Sequence, residues 1–256
     1  MSNLKGVILA GGTGSRLYPL TRITNKHLLP IYDRPMVCYA IDALVQAGVR
    51  ELMIVTGGTH AGEFLRLLGN GQEYAIDRLL YAYQERAGGI ADALGLAHHF
   101  VERDKVIVML ADNVFECSLR PTIEAFSAQK RGSRILLSRL GETSHLRHVG
   151  VAEFDNGRRL RRIVEKPDDP PSAYAVTGVY LYDASVFDVI PTLTPSSRGE
   201  LEITDVNNHF IKEGLMEYDV IDGFWGDAGE SVDAYYTVND FVRAHGANRQ
   251  EGPPGN

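Results

Sequence analysis

A chain of 256 residues, 44% hydrophobic and 23% charged, can bury a sizeable core as one large soluble domain. Its net charge of −7 argues against broad nucleic-acid binding, although a few converging basic residues still admit an anionic ligand. No apolar run reaches membrane-spanning length, the start MSNLKGVILAGG lacks a signal-peptide pattern, and Cys38 and Cys117 make neither a metal-spaced cluster nor a disulfide framework; a reduced, cytoplasmic protein is expected.

The first element is the apolar run Val7-Ile8-Leu9-Ala10, which reads as a strand buried on both faces of a parallel sheet. It ends in Gly11-Gly12-Thr13-Gly14-Ser15-Arg16. Glycines so spaced let the backbone turn tightly and aim N–H groups at an anion. Arg16 adds forked donors suited to phosphate, and Lys26 follows in a polar segment closed by Pro30. Together these suggest a polyphosphate site. No Lys-Ser or Lys-Thr follows the glycines, so the loop is not of the Walker type, and Leu17 stands where a dinucleotide fingerprint needs its third glycine. A turn whose glycines only relieve backbone strain is the bland alternative.

A helix is expected from about Pro35 to Gly48, a strand over Glu51–Thr56, and a short helix containing Phe64, Leu65 and Leu68. The alternation reads as a right-handed, mainly parallel sheet covered by helices. Arg78–Gln84 supplies another strand, followed by Gly88-Gly89 and a helix through about Phe100. Gln84 carries a donor and an acceptor, enough to pair with a pyrimidine edge, and Gly89 would let a base approach the backbone. Lys105–Ala111 is the clearest central strand and ends in Asp112-Asn113. A carboxylate there lies where open α/β sheets bind ligands, and Mg²⁺ favours one or two carboxylates with substrate phosphates. The competing reading is an Asp that caps a turn.

A helix over about Arg120–Lys130 and a strand over Arg134–Leu140 come next. From Gly150 the pattern changes to short strands, with Asp155-Asn156-Gly157 as a hairpin signal between Val151–Phe154 and Leu160–Val164. Glu165-Lys166-Pro167 closes that pair, and Asp227 sits in a glycine-flanked turn after Trp225. The last helix is expected over about Ser231–Ala244, and residues 246–256 read as a disordered tail.

The string LAGGTGSRLYPLT followed by NKHLLPIYDRPM resembles the signature of the sugar-1-phosphate nucleotidyltransferases, most closely the short-form glucose-1-phosphate thymidylyltransferases. Further strings are similar in the same order: Gln84 with Gly88–Leu94, Ala111-Asp112-Asn113, Glu165-Lys166-Pro167, Tyr174–Tyr180, Pro195–Asp205 and Phe224–Gly229. The resemblance spans about residues 4–245. It implies a Rossmann-like nucleotidyltransferase sheet flanked by helices, with a smaller mixed β sugar-binding portion. One domain, 1–245, would divide into a mainly nucleotide-binding part to about 115 and a mainly sugar-binding part from about 116.

Carried over residue by residue, the resemblance puts Leu9, Ala10, Gly11, Gly12, Thr13, Gly14, Ser15 and Arg16 on the nucleotide, with Gln84 and Gly89 reading thymine or uracil. Asp112 and Asp227 would hold Mg²⁺. Asn113, Gly150, Glu165, Lys166, Val176, Thr177 and Gly178 would line the sugar-phosphate pocket, with Arg198 near its phosphate. Arg16, Lys26 and Lys166 would be catalytic. The implied reaction joins dTTP or UTP to α-D-glucose 1-phosphate and releases pyrophosphate. A silent nucleotide-sugar sensor, or an enzyme for another sugar 1-phosphate, are the alternatives; a dehydrogenase fails on the missing third glycine. Four positions depart from the family pattern: Asp92 for Gln, Ala111 for Gly, His148-Val149 where an aromatic usually precedes Gly150, and Glu230 for Thr. Longer relatives continue past the last helix with elements that build a second nucleotide site. The expectation here is therefore purely active-site inhibition by product-like nucleotide sugars and an assembly smaller than tetrameric, such as a homodimer.

Overall fold

The computed structural model describes residues 3–141 and 143–249. In chain order the elements begin with β1 (Leu4–Ala10), the paired β2 (Pro30–Ile31) and β3 (Arg34–Pro35), α1 (Met36–Gln46) and β4 (Glu51–Gly57). Then come α2 (Ala61–Leu68), β5 (Arg78–Gln84), α3 (Ile90–Gly95), α4 (His98–Val101), β6 (Lys105–Leu110) and β7 (Asn113–Phe115). The second half holds α5 (Arg120–Ala128), β8 (Ser133–Arg139), α6 (Thr143–Leu146), β9 (Gly150–Phe154), β10 (Leu160–Glu165) and β11 (Tyr174–Tyr182). It closes with α7 (Val186–Val189), α8 (Ile203–Lys212), β12 (Met216–Val220), β13 (Trp225–Asp227) and α9 (Val232–His245).

Nine of these strands share one sheet, ordered β10-β9-β11-β6-β1-β4-β5, with β8 on β11 and β12 on β8. Strands β5, β4, β1 and β6 run parallel. The apolar run of β1 alternates between two cores, as a period of 2 requires. Val7 and Leu9 join Met53, Leu94 and Phe210 on one face, and Ile8 and Ala10 join Ile41, Phe64 and Phe126 on the other. Helices therefore cover both faces, which explains why the strand sequence is apolar throughout.

The later strands extend this same sheet. Strand β11 runs antiparallel to β6 through Val179–Tyr182 and to β8 on both sides of an irregularity between Val176 and Tyr180. That interruption puts Thr177 and Gly178 at the point where the parallel half meets the antiparallel half. Helix α8 and strand β12 are among the elements not anticipated from the sequence. Helix α8 buries Ile203, Val206 and Phe210 at helical spacing, and β12 adds a parallel edge strand to β8. The single helix expected through Phe100 is broken into α3 and α4: Gly95 is a weak helix former, and Ala97 N–H turns back to Leu94 O at 2.9 Å.

A third core, containing Leu17, Ile31, Met36, Tyr39, Tyr235 and Val242, clamps the segment after the glycine loop against α9. Leu17 is fully buried, and burial of a side chain of that size contributes about 1.5–3 kcal/mol. Residues 247–249 are docked rather than disordered. Asn248 is 4% exposed, its N–H donates to Phe115 O at 2.8 Å and its Nδ2 to Tyr39 O at 3.0 Å. Arg249 adds an ion pair with Glu116. Polar hydrogen bonds hold this piece, which an apolar-residue criterion cannot detect; the rest of the expected tail lies outside the described residues.

Candidate active site

A cleft of about 680 Å³ opens along the C-terminal ends of the parallel strands and continues beneath β11 and α8. Ligands bind there in open α/β sheets. On one side it is lined by Leu9, Gly11, Gly12, Ser15, Arg16, Gln84 and Gly89, and on the other by Gly150, Glu165, Lys166, Val176, Thr177, Gly178 and Arg198. Lys26, Asp112, Asn113 and Asp227 lie in the lining between these sets.

Three expected residues stay off the lining. Ala10 points into the core with Ile8, and its carbonyl accepts Asn25 Nδ2 at 3.3 Å. Thr13 is exposed. Gly14 adopts a left-handed conformation, and a β-carbon there would lie 2.9 Å from Thr21 Cγ2; its role is to turn the loop.

The centre of the cleft is built by a two-stranded ladder that places Asp227 of β13 opposite Asn113 of β7. This brings Asp227 beside Asp112, although the two are far apart in sequence. Asp112 is 4% exposed, accepts a hydrogen bond and ion pair from Lys26 Nζ, and lies 3.8 Å from His27 Nε2. Burial alone would push its carboxyl up, but the Lys26 charge and the His27 contact together hold it well below the usual carboxylate range. Burial lowers His27, and its Nδ1 donates to Asn25 Oδ1 at 2.9 Å. Asp227 behaves oppositely: burial and the neighbouring Asp112 charge push it up to about 7. Gly229 is required by this packing, since a β-carbon would meet Asp112 Oδ2 at 2.3 Å and Lys26 Nζ at 2.8 Å.

Two like charges thus converge, and Lys26 is the cation between them in this state. Among the described residues no group of three or more His, Cys, Asp and Glu forms a metal cage. Two hard oxygen donors at the cleft floor nevertheless match a Mg²⁺ ion whose remaining ligands are water and phosphate. A buried carboxylate raised by its neighbour is stabilised by any such cation, so the donor set fits.

Several side chains brace the site instead of facing it. Asn113 Oδ1 accepts Gly178 N–H at 2.8 Å and Trp225 Nε1 at 2.6 Å, and Nδ2 donates to Asp112 Oδ1 at 3.1 Å. Thr177 is fully buried and its hydroxyl donates to Leu136 O at 2.9 Å. On the base side, Gln84 Nε2 donates to Asp92 Oδ2 at 2.7 Å and Gly89 O at 3.2 Å. The amide donor that the sequence reading assigned to a base is therefore engaged within the protein. Gly89 itself has φ 97°, and a β-carbon would meet Leu201 O at 2.5 Å, so only glycine fits.

The opposite side is an exposed charge network. Glu165 accepts Thr204 Oγ1 at 2.6 Å. Arg198 pairs with both oxygens of Glu202 at 2.9 and 3.0 Å, and lies 3.5 Å from Glu200 and 3.8 Å from Glu165. Lys166 holds a left-handed backbone at φ 44° and lies 3.6 Å from Glu165. Non-glycine residues in that region are uncommon and cluster at functional sites. Sequence reasoning missed His27, Thr204 and Asn207 in the lining. The last two sit on the apolar-spaced helix α8, whose periodicity was the available signal.

A glycine loop after a buried strand, two converging carboxylates and cations on both flanks define a fold and site for phosphoryl chemistry. The sequence matches the Nucleotidyl transferase family over residues 5–245, and the chain belongs to that family. It is similar to a glucose-1-phosphate thymidylyltransferase of Actinoplanes sp., 40% identical over 94% of this chain and 78% of that one. A glucose-1-phosphate thymidylyltransferase of Neisseria meningitidis is 37% identical over 97% and 88%. The crystal structure of a putative glucose-1-phosphate thymidylyltransferase from Bacillus anthracis with sucrose superposes with a TM-score of 0.88 at 45% identity, over 99% of this chain and 98% of that one. The protein is thus a nucleotidyltransferase enzyme. Among the described residues no helix is long and apolar enough to cross a membrane.

Proposed function

We propose that this enzyme transfers a nucleotidyl group from dTTP or UTP to α-D-glucose 1-phosphate, giving dTDP-glucose or UDP-glucose and pyrophosphate. The observation that carries the reading is the single cleft with the Gly11–Arg16 loop on one flank, Glu165-Lys166 and Arg198 on the other, and Asp112 with Asp227 between. Such a layout suits two anionic substrates meeting over a cation site. The names of the relatives supply the sugar and the nucleotide.

In this reading a sugar-phosphate oxygen attacks the nucleotide α-phosphorus, and the pyrophosphate oxygen leaves from the opposite side. The chemistry needs positioning and charge stabilisation rather than a covalent nucleophile. Arg16, which has no ion-pair partner among the described residues, is free to hold the polyphosphate and the leaving group. Lys26 stabilises charge on the α-phosphate as it leaves Asp112. Lys166 holds the attacking phosphate, and Glu165, fixed by Thr204, accepts a sugar hydroxyl. Mg²⁺ held by Asp112 and Asp227 would neutralise charge on the reacting phosphoryl oxygens.

The test is pyrophosphate release with dTTP, UTP, dCTP and ATP against glucose 1-phosphate and other sugar 1-phosphates, with and without Mg²⁺. Mg²⁺-dependent release with dTTP or UTP and glucose 1-phosphate is expected. Binding of a nucleotide sugar with no release under any combination would make the chain a sensor and sink the proposal.

A further inference from the structure

We propose that Asp92 is a positioning residue that fixes which edge of the Gln84 amide faces the nucleobase, so that the site accepts a pyrimidine with an N–H at ring position 3 and rejects one without it. The inference rests on the nucleotide reading above and adds the residue that sets its sense. Gln84 lines the cleft at the end of β5, and Asp92 stands behind it in the first turn of α3; both are half-buried. The two hydrogens of Gln84 Nε2 have two partners, Asp92 Oδ2 at 2.7 Å and Gly89 O at 3.2 Å. A carboxylate oxygen and a backbone carbonyl oxygen both act as acceptors here.

The amide therefore has one permitted orientation. Turned over, Oε1 would face a carboxylate and a carbonyl with no proton between them. Locked as it is, Gln84 presents Oε1 on the side of Gly11, 3.5 Å from where a β-carbon of that glycine would stand. An amide that could rotate would read a donor or an acceptor equally well. This one reads a donor. Thymine and uracil carry an N–H at position 3, whereas cytosine of the same ring size carries a bare nitrogen there. The bond between Nε2 and Asp92 is charge-assisted, which makes the lock stronger than a neutral partner would. A β-carbon at Gly88 would lie 2.4 Å from Asp92 Oδ2, so the carboxylate is itself confined by the neighbouring turn.

The experiment measures kcat and KM of the full-length enzyme for dTTP and dCTP, in the wild type, Asp92→Asn and Asp92→Glu. Asparagine can accept from Gln84 or donate to it, so either amide orientation becomes possible. The dTTP-to-dCTP ratio of kcat/KM should fall about tenfold in Asp92→Asn, the difference between a charged and a neutral partner. The change should appear as a rise in KM for dTTP and a fall in KM for dCTP. Asp92→Glu keeps an acceptor-only group and should hold the ratio within about threefold, being less than one hydrogen bond. A ratio unmoved in Asp92→Asn, with both nucleotides slowed equally, overturns the inference and leaves Asp92 a packing residue. A ratio lost equally in both variants shows that an acceptor-only group at this position does not preserve the selectivity, and overturns the inference as well. Wild-type enzyme that turns over dCTP as readily as dTTP would instead fail the base assignment of Gln84 itself, and this inference with it.

Discussion

In the part of the cleft that the proposed function gives to the nucleotide's phosphates (the nucleotide side, its opposite being the sugar side), Lys26 meets Asp112 with side chains only 12% and 6% exposed. On the sugar side, Arg198 is 44% exposed among Glu165, Glu200 and Glu202. The first pair lies at the cleft floor just past the end of β6, nearly closed to solvent and braced by Asn25, His27 and Asn113. The second joins the end of β10 to the loop that leads into α8, and its guanidinium stands open to water. Buried charges are held by geometry that cannot relax without a large penalty, whereas exposed pairs contribute little and yield to salt. The nucleotide side is thus preorganised and the sugar side adjustable. That contrast suits a reaction in which one substrate's phosphates must be aligned for displacement while the other's hydroxyls are sampled.

The strongest way to break the comparison is Asp112→Asn. It removes a candidate metal carboxylate and the hydrogen-bonded partner of the Lys26 ammonium, leaving only the neighbouring Asp227. Turnover should fall on the order of 10³-fold, the upper end of what one preorganised electrostatic group contributes. Stability should also drop by about 3–5 kcal/mol, the usual result of removing one partner of a buried pair. Adding Lys26→Met should recover most of the stability and none of the activity. Thermal unfolding and Mg²⁺ titration of pyrophosphate release measure the two effects separately. Equal stability of wild type and Asp112→Asn would show that this pair is not the anchor described.

Arg16→Ala probes the same side where it is exposed. Because the guanidinium is unpaired among the described residues, unfolding should be unchanged within about 0.5 kcal/mol. Turnover should nevertheless fall roughly 10²-fold, as expected for one charge at a developing anion. A rise in KM for glucose 1-phosphate alone would move Arg16 to the other substrate.

Thr204→Val tests how the sugar side is held. Valine keeps the volume at a 5% exposed position but releases Glu165 Oε2. KM for the sugar 1-phosphate should rise about tenfold or more, the lower end of what one hydrogen bond to a charged group is worth, while KM for the nucleotide stays put. A uniform rise in both would make the bond a fold contact rather than a sugar-positioning one.

How much of this could be read from the sequence follows the same division. Val7–Ala10 and Arg78–Gln84 announce themselves by apolar runs and flanking turns, and the glycine loop with Arg16 follows directly from them. The motif residues expected on the sugar side also reach the cleft. What each side chain does there was less legible, since partners come from distant segments. Asn113 and Thr177 sit in matching strings, yet their polar groups are tied to Gly178, Trp225 and Leu136. His27 gives no local signal, because its importance comes from the Asp112 carboxylate at the end of another strand. Docking of Asn248 depends on carbonyls of Tyr39 and the N–H acceptor at Phe115, a pairing that no periodicity encodes. Helix α8 and strand β12 carry ordinary patterns, amphipathic and alternating, with no motif to single them out.

The smallest expected effect sharpens the comparison most. Arg198 holds a bidentate pair with Glu202, whose side chain is 14% exposed, while Glu200 and Glu165 crowd the same guanidinium. Three carboxylates around one arginine leave a local negative excess. Asp205 registers it: burial, then the Glu202 and Glu165 charges, push its carboxyl up. An incoming sugar phosphate must therefore draw Arg198 away from Glu202 and approach an acidic surface. Glu202→Gln weakens both obstacles. It should lower KM for glucose 1-phosphate by roughly two- to fivefold at low ionic strength, in line with the 0.2–1 kcal/mol typical of exposed pairs. The gain should shrink as salt is raised towards 1 M, where screening acts within about 3 Å. Lys26, only 12% exposed at the cleft floor, should show much less salt dependence in its contribution to turnover. Initial rates at several salt concentrations for wild type, Glu202→Gln and Lys26→Met make the comparison direct. A rise in KM on Glu202→Gln would mean that the ion pair positions Arg198 for the phosphate, and the sugar side would then be as preorganised as the nucleotide side.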